Sequence, residues 1–473
     1  IMKSLAFPIA ASIAAPIKFA WIKPVRAPAQ ACKAFRGPSR AILSATVAGA
    51  FAFSGLVSGA EAPLTLAEAQ RRALERSYQI PAQDAAIAAS RDMAVAAGQL
   101  PDPVLKLGID NVPINGADQF SVGRDSMTQR FVGVTQEFTS SEKRQLRTQR
   151  FEREAEKSLA EKAAMIAAIQ RDTALAWLDR YYAEALAAVI AQQAAEAKLE
   201  IVAAEGAYRA GRGSQADVFA AHSAQVGFED LASEIGRRIR TAKTALARWI
   251  GDAAEAPLAD KPALGSIRLD TTALDTELGH HPEISVLARQ EEIAATEARL
   301  AQADKKADWS IEVSYAQRGS AYSNMVSVGV SIPLQWDQKN RQNRELASKL
   351  ALADQARARR EEALRAHIGE VRAMITEWEN GRERLARYER ELVLLARERT
   401  RAALAAYQGG KANLTDLLLA RRNEIDVRMK AVGLEADVAR LWGQLNFLFP
   451  ENAEMTGASI PAPSTAHQAK ESK

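Results

Sequence analysis

The sequence predicts a mainly α-helical protein with a β-barrel part, in which each chain contributes long helical hairpins and four short strands. Three observations lead to this fold class. Long segments carry apolar residues at the 3-4 spacing of coiled coils. Short segments before them alternate apolar and polar residues, as strands do. The whole pattern then occurs twice within the 473 residues.

The two copies are recognised by residues that recur 199 positions apart. Tyr208, Gly211, Arg212, Asp217, Ala221 and Leu246 of the first copy recur as Tyr407, Gly410, Lys411, Asp416, Ala420 and Leu445. A second echo pairs Gly133 and Lys143 with Gly329 and Lys339 at a nearly equal offset. A solenoid repeat usually spans ~20–50 residues, so this longer period implies two copies of a large helix-and-strand module.

Very long helices dominate both copies. The first is expected over 142–205 and the second over 339–405. The second carries a regular apolar seam, which consists of Val371, Met374, Trp378, Gly381, Leu385, Tyr388, Leu392 and Leu395. A helix of ~64 residues would be ~96 Å long, so it needs partner helices along its whole length. Glycine-bearing turns follow, and return helices are expected over 214–250 and 413–448.

Strand patterns occur only before the long helices, in hairpins at about 103–138 and 309–334. The loops of these hairpins are expected at 111–129 and 317–323. Each run of roughly 8–10 residues is long enough for a tilted strand to cross a bilayer. A small antiparallel sheet with one solvent-exposed face would show the same alternation of apolar and polar residues, so the alternation alone does not distinguish the two. Because four strands cannot close and would leave open edges, we expect transmembrane strands from several subunits to form one barrel.

These elements divide the chain into four parts. In order, a leader, two structural repeats and a disordered tail are expected at 1–60, 61–260, 261–450 and 451–473. A helical stretch over 64–99, with a break near Pro81, opens the first repeat. A spacer rich in Ala, Pro and Asp, at 251–270, joins the two repeats.

The basic balance of the chain comes from the expected leader. The whole chain has a formal net charge of +4, whereas residues 1–60 carry seven basic residues and no acid. The rest is therefore slightly acidic, which gives no reason to expect nucleic acid as a partner.

The leader has the features of an export signal. Arg36 and Arg40 precede an apolar run at 41–57, and small residues then allow cleavage after Ala60. A retained transmembrane anchor is the alternative, because the run is about long enough to span a bilayer. The single cysteine, Cys32, precedes the run, so a mature chain would have no disulfide or thiol chemistry.

The arrangement resembles the TolC family of trimeric outer-membrane efflux ducts. The likeness rests on the Tyr-x-x-Gly-x-x-x-x-x-Asp pattern at 208–217 and again at 407–416. The paired strand hairpins before long helices and the His-Pro-Glu-Ile opening of the second copy at 281–284 add to it. The resemblance covers residues 61–450.

The resemblance implies a homotrimer, with a twelve-stranded barrel in the lipid of a Gram-negative outer membrane and an α-helical barrel in the periplasm. It also implies docking onto an inner-membrane pump of the resistance-nodulation-division (RND) class through a periplasmic adaptor protein. The segments 131–144 and 111–124 resemble the branch that serves heavy-metal efflux pumps. Heavy-metal cations are therefore the expected cargo of a passive exit duct.

Carried over residue by residue, the resemblance places six residues at the periplasmic hairpin tips, where family members close the duct and meet the adaptor: Tyr208, Gly211, Arg212, Tyr407, Gly410 and Lys411. It matches Asp416, and through the repeat Asp217, to a gate acid that faces the lumen in some members. Those members carry a second acid one turn later, where this chain has Leu419 and Ala220. The constriction would therefore be less acidic here.

Simpler roles for these residues remain open. Asp217 and Asp416 each stand at the third position of a return helix, where a carboxylate stabilises free amides and the helix dipole. Tyr208 and Tyr407 could instead be seam residues that close the helix ends.

No catalytic, cofactor or metal site is predicted. His280, His281 and Glu283 form the only cluster with histidine, and because they lack the spacing of a zinc motif, a capping or surface role is expected. The stretch 206–212 faintly resembles a phosphate loop, but it lacks Lys-Ser/Thr and follows a helix. No Ser/His/Asp or Cys/His arrangement is evident, so no catalysis is expected.

Two other functions remain open at this stage. A periplasmic coiled-coil adaptor or scaffold also carries helical hairpins, although adaptors usually have one hairpin flanked by compact β domains. A duct of the same family could instead export drugs or secreted protein, because the cargo is chosen mostly upstream.

Overall fold

The computed structural model describes residues 62–451 of the chain. The expected leader over 1–60 and, apart from Glu451, the expected tail over 451–473 lie outside these residues. The described part is mainly helical and contains one four-stranded antiparallel sheet. None of its helices is apolar enough over a sufficient length to cross a membrane.

The first copy consists of two short helices, a strand hairpin and a long helical hairpin. In chain order these are α1 (Leu66–Arg76), α2 (Gln79–Ala97), β1 (Val104–Asp110), β2 (Gln129–Phe138), α3 (Ser141–Arg209) and α4 (Gln215–Ile250). The break that was expected near Pro81 lies at Ser77 and Tyr78. Pro81 stands in the first turn of α2, where the missing N–H would have no helical partner.

The second copy follows a 3₁₀ turn at Gly251–Glu255 and repeats the same order of elements. These are α5 (Leu274–Gly279), α6 (Pro282–Ala303), β3 (Trp309–Gln317), β4 (Met325–Ser331), α7 (Gln342–Arg387), α8 (Val393–Gln408) and α9 (Leu414–Asn446). A π-helical turn, Tyr388–Leu392, joins α7 to α8.

The long second helix therefore differs from the regular helix expected over 339–405. A π turn holds one more residue than an α turn, so it rotates the buried stripe of the helix that follows. Val371 and Trp378 are buried on the expected seam before the turn, whereas Leu392 and Leu395 are exposed after it. Ala396 is buried in place of Leu395, and the seam expected there was wrong by one residue.

Helix α3 extends without interruption for 69 residues, which corresponds to about 104 Å. Ser140 caps its N-terminus, because the Ser140 hydroxyl accepts a hydrogen bond from the Lys143 backbone N–H at 3.4 Å. Its first half packs against α2 and α6, and its second half packs against α4 and α9. The apolar residues of α3 are thus covered by different helices along its length.

The main hydrophobic core lies around the middle of α3. Trp177 is fully buried there, and its indole N–H donates to the Leu64 carbonyl at 3.1 Å. The Leu64 N–H in turn donates to the Pro257 carbonyl, in the spacer between the copies, at 2.8 Å. Leu246 and Leu445, which correspond in the repeat, are both buried in this core. The core therefore joins the two copies to each other.

The sheet has the order β1-β2-β3-β4, with every pair antiparallel. The first copy supplies β1 and β2, the second supplies β3 and β4, and β2 pairs with β3 across the copies. The outer edges of β1 and β4 remain unpaired in the described chain.

Candidate functional site

Both helical hairpins end in the same turn. Gly211 and Gly410 have positive φ angles of 68° and 70°, a conformation that favours glycine. The Arg212 N–H donates to the Ala207 carbonyl at 2.9 Å. In the second tip, the Lys411 N–H donates to the corresponding Ala406 carbonyl at 2.8 Å. These six-to-one bonds are those of a Schellman motif. The cationic side chains and the glycines at both tips are exposed.

The two tips pack against each other through one small apolar cluster. Its buried members are Ile201, Ala204, Ala221, Leu414 and Leu417, which come from α3, α4 and α9. Tyr407 is half-buried against this cluster, whereas Tyr208 is 49 % exposed. The structure therefore distinguishes the two tyrosines: Tyr407 contributes to the contact between hairpins, and Tyr208 faces outward.

The acids at the tips also differ. The Asp217 carboxylate accepts hydrogen bonds from the backbone N–H and the hydroxyl of Ser214, at 2.9 and 2.7 Å. These bonds complete a capping box and lower the pKa of Asp217. The Asp416 backbone N–H donates to the Asn413 side chain at 2.8 Å. The Asp416 carboxylate is exposed and has no hydrogen-bond or ion-pair partner within residues 62–451.

Tyr407 is near enough to Asp217 of the other hairpin to be affected by its charge. Burial raises the pKa of the Tyr407 hydroxyl, and the negative charge of Asp217 raises it further. The structure thus brings together two of the residues that the sequence indicated, one from each copy.

A charged cluster above the tips was missed by the sequence analysis. Arg421 of α9 forms ion pairs with Glu196 and Glu200 of α3, the second at 2.9 Å. Arg428 pairs with Glu424 at 2.6 Å. Glu200 and Glu424 are 5 % and 3 % exposed, and burial raises the pKa of Glu200 against the opposing effect of Arg421. The i,i+4 spacing of Glu196 and Glu200 places both acids on one face of the helix, and this spacing could have predicted the cluster.

At the other end of the long helices, the sheet has one apolar face and one polar face. The cross-strand rows of the apolar face are Leu105, Val134, Val313 and Val328, and Leu107, Val132, Tyr315 and Val326. These side chains are between 42 % and 70 % exposed. Lys106 and Glu312 form an ion pair of 2.6 Å on the polar face. No helix of the described chain covers the apolar face, which a soluble protein would bury.

Aromatic residues lie at both ends of the strands. At the helical end, the rings of Phe138 and Trp309 stack with centroids 4.7 Å apart, and Trp336 is 88 % exposed. At the loop end, the Arg318 guanidinium lies 5.5 Å from the centre of the Tyr322 ring. The apolar rows therefore lie between two groups of aromatic residues, one at each end of the strands.

A buried lysine marks the junction of sheet and helix. The Lys143 ammonium lies 3.0 Å from Asp308 and 3.5 Å from Asp304, and it donates to the Lys306 carbonyl at 2.6 Å. Its side chain is only 4 % exposed. The sequence indicated the echo between Lys143 and Lys339 but not these partners.

The surface role expected for the histidine cluster holds for His280 and Glu283, which are exposed, but not for His281. His281 is 5 % exposed, and its ring lies 4.3 Å from that of His367, centre to centre. It precedes α6, but its side chain makes no capping hydrogen bond, so the expected capping or surface role was wrong. Burial, then the neighbouring His367, lower the pKa of His281 to about 4. Among residues 62–451, no group of three or more His, Cys, Asp or Glu could hold a metal ion.

Two long helical hairpins joined to a four-stranded sheet define a known class of fold, that of outer-membrane channels. The chain is similar to the outer-membrane channel OprN, with 17% identity, a TM-score of 0.70, and coverage of 82% of this chain and 90% of that one. It is also similar to the outer membrane protein VceC from Vibrio cholerae, with 19% identity, a TM-score of 0.66, and coverage of 81% and 95%.

A third similar structure is CusC, known from structures that follow its folding and transmembrane channel formation. It is 14% identical, with a TM-score of 0.68 and coverage of 82% of this chain and 92% of that one. No protein-family model and no curated protein sequence matches this chain. The structural likeness therefore establishes the fold, which is that of these outer-membrane channels.

Proposed function

We propose that this chain is the outer-membrane channel of a tripartite efflux system and works as a passive exit duct. The observation that carries the proposal is the sheet, whose apolar face is exposed and whose two edges are unpaired. Lipid is the surrounding in which such a face is stable. Open edges are not stable there, because every backbone polar group must be paired within a bilayer.

The proposed assembly solves both problems with three copies of the chain. Four strands from each copy make a closed barrel of twelve, with the apolar rows toward lipid and the polar face around a water-filled lumen. Lys106 and Glu312 would line this lumen. The aromatic bands around Trp309 and Tyr322 would lie at the two membrane interfaces, where such residues are enriched.

The long helices would continue the duct into the periplasm of a Gram-negative cell. Three copies of the α3–α4 and α8–α9 hairpins would form a tunnel that ends at the tips. The tip residues would contact a periplasmic adaptor protein. These are the exposed Tyr208, Gly211, Arg212, Gly410 and Lys411, and the half-buried Tyr407. Asp217 and Asp416 would stand at the gate, and the packing of Tyr407 on the apolar cluster between the hairpins would help to hold it closed.

The chain itself would perform no chemistry, since transport energy would come from an inner-membrane pump of the RND class. The heavy-metal cargo is supported by the resemblance of the segments 131–144 and 111–124 to the branch that serves metal pumps. A duct for drugs or secreted protein has the same fold. It is distinguished by which compounds, metals or detergents and dyes, the cells become sensitive to when the gene is deleted.

The duct is tested by its location, assembly and conductance. We expect the protein in the outer-membrane fraction, as a trimer that resists heating in SDS and conducts ions in planar bilayers. A soluble monomer in the periplasmic fraction would instead support the scaffold and overturn the proposal.

The cargo is tested by deleting the gene and measuring growth. We expect increased sensitivity to one or more of copper, silver, cobalt, zinc and cadmium. Detergents and dyes, tested in parallel, report on the drug-duct alternative. An unchanged response to all five metals would exclude the heavy-metal assignment while leaving the duct itself intact.

A further inference from the structure

A cavity of about 370 Å³ lies between α3, the start of α6, α7 and the end of α9. Its walls include His281, which precedes α6, and His367 and Met374 of α7. His367 and Met374 are seven positions apart, so they lie on one face of the helix. Sequence alone did not indicate this grouping, because His281 and His367 are far apart in the chain. The cavity therefore brings together three side chains with nitrogen or sulfur donors.

The two histidines carry buried nitrogen atoms that lack partners. His281 is 5 % exposed, and the His367 side chain is 15 % exposed. The Nδ1 atom of His281 and the Nε2 atom of His367 have no hydrogen-bond partner among residues 62–451. Buried polar atoms are almost always paired in folded proteins, because leaving them unpaired is costly. Two such atoms in neighbouring rings indicate a bound group that they share.

The rings are held in an arrangement that suits a metal ion. Their centres are 4.3 Å apart, and their planes are inclined by 42°. On the far side of His367, the Glu370 carboxylate lies 4.0 Å from Nδ1. Its negative charge favours the tautomer with the proton on Nδ1, which leaves a lone pair on the unpartnered Nε2. Histidines that bind metals usually have such a carboxylate, or a carbonyl, at their second nitrogen.

We infer that the cavity binds one Cu(I) ion, held by His281 Nδ1, His367 Nε2 and the Met374 thioether. The available donors determine this choice of metal. Among residues 62–451, no group of three or more His, Cys, Asp or Glu could hold a metal ion, so the closed four-ligand site that Zn²⁺ prefers is not available. Thioether sulfur is a soft ligand that selects Cu(I), and imidazole also binds copper. A soft monovalent ion needs fewer ligands than Zn²⁺, and these three suffice.

Binding requires only a small movement of the side chains. Metal–nitrogen bonds are ~2.0–2.1 Å long, and rings 4.3 Å apart can both reach one ion after rotating about their side-chain bonds. The cavity leaves room for that rotation. The ion would connect the segment before α6 to α7, and it would stabilise the fold because the unfolded chain lacks the site. Since the cavity lies apart from the sheet and the tips, the inference goes beyond the proposed duct and does not depend on it.

The site is tested by titrating the purified protein with Cu(I) in mild detergent and without oxygen. The full chain carries Cys32→Ser, so that no thiol competes, and a coloured Cu(I) chelator reports the free ion. We expect one tightly bound ion per chain and a melting temperature that rises with the Cu(I) concentration. X-ray absorption at the copper edge should show two nitrogen ligands and one sulfur ligand.

Each kind of ligand has a matched control. His281→Gln and His367→Gln should each lower the Cu(I) affinity by about 100-fold or more, and Met374→Leu should lower it by about 10-fold and remove the sulfur signal. His280→Gln and Met93→Leu replace an exposed histidine and an exposed methionine. These two controls should keep the affinity of the parent chain.

Glu370→Gln tests the site without disturbing the packed histidines. The Glu370 side chain is 70 % exposed, so this variant should melt at the same temperature as the parent chain when no metal is present. It should nevertheless bind Cu(I) about 10–100-fold more weakly, because the carboxylate no longer holds the proton on Nδ1 of His367. An unchanged affinity would contradict the role given to Glu370.

Two results would overturn the inference. Equal Cu(I) affinity in the parent chain and in both histidine variants would mean that the rings share only water. Tighter binding of Zn²⁺ than of Cu(I) at the same residues would exclude a soft monovalent ion. Neither result affects the duct, because its trimer and its conductance are measured without added metal. A chain that forms no trimer would fail as a duct and could still bind Cu(I).

Discussion

At the scale of single residues, the repeat places the same acid in two different surroundings. Asp217 is held by Ser214 and lies near Tyr407, whereas the carboxylate of Asp416 is free at the tip of the described chain. Asp217 therefore stabilises the start of its own helix. Asp416 lies in the first turn of α9, where its charge favours the helix dipole, but its carboxylate has no partner in the described chain. It is therefore the better candidate for contact with cargo or with a neighbouring copy.

The gate residues lead to a prediction about conductance. Asp416→Ala and Tyr407→Phe should each increase conductance through the closed channel, because one removes the free acid and the other removes the hydroxyl near Asp217. The measurement is single-channel recording in planar bilayers. Asp426→Ala is the control, since Asp426 is an exposed acid on the same helix without an ion pair in the described residues. Unaltered conductance in both test variants would remove these residues from the gate.

His281 makes stability depend on pH. Its folded-state pKa of about 4 lies below the value of 6.5 for an unperturbed histidine, so between these values the unfolded chain binds the proton and the folded chain does not. Stability should therefore decrease as the pH falls through this window, by about 2 kcal/mol at pH 5.

The pH effect is measured from melting temperatures in mild detergent at pH 7 and pH 5. His281→Gln should reduce the difference between the two pH values, because its side chain does not titrate. His280→Gln alters the adjacent histidine and should leave the difference unchanged. An identical pH dependence in all three proteins would mean that His281 is protonated without cost in the fold.

At the scale of elements, the cluster around Arg421 joins the two hairpins above their tips. Replacing Arg421→Met should leave Glu200 buried without its cation, at a cost of about 3 kcal/mol. Hydrogen exchange should then accelerate in α3 and α9 near these residues. Arg422→Met is the matched control, because Arg422 is exposed and forms no ion pair in the described chain. Equal exchange in the two variants would show that the cluster does not hold the hairpins together.

Local patterns in the sequence predicted these elements well. The alternation around Leu105 and Val328 and the glycines Gly211 and Gly410 predicted strands and tips because each depends on neighbouring residues. The π turn was not predictable, since apolar residues continue at the same spacing through Leu392 while the backbone gains a residue. The surroundings of Lys143 could not be predicted either, because Asp308 is brought to it only by the pairing of distant strands.

At the scale of the whole molecule, both ends of the long helices remain incomplete in one chain. The strand end exposes an apolar face and two open edges, and the tip end exposes cationic residues and a free acid. The interior of the chain, by contrast, contains a continuous core around Trp177 that joins the two copies. A chain with a packed centre, open strand edges at one end and exposed charged residues at the other is suited to assemble side by side with identical copies. Its ends remain available to bind other partners.

The face that would meet lipid provides the last prediction. Val328 and Ser327 are neighbours on β4 that point to opposite faces of the sheet, the apolar and the polar one. Val328→Lys should cost about 2–4 kcal/mol per chain, as a lysine does near the middle of the lipid face of a barrel. Each trimer would contain three such lysines, so little heat-resistant trimer should reach the outer membrane. Ser327→Lys adds the same charge toward the lumen and should assemble normally, with altered ion selectivity. Equal assembly of the two variants would show that the apolar face does not contact lipid.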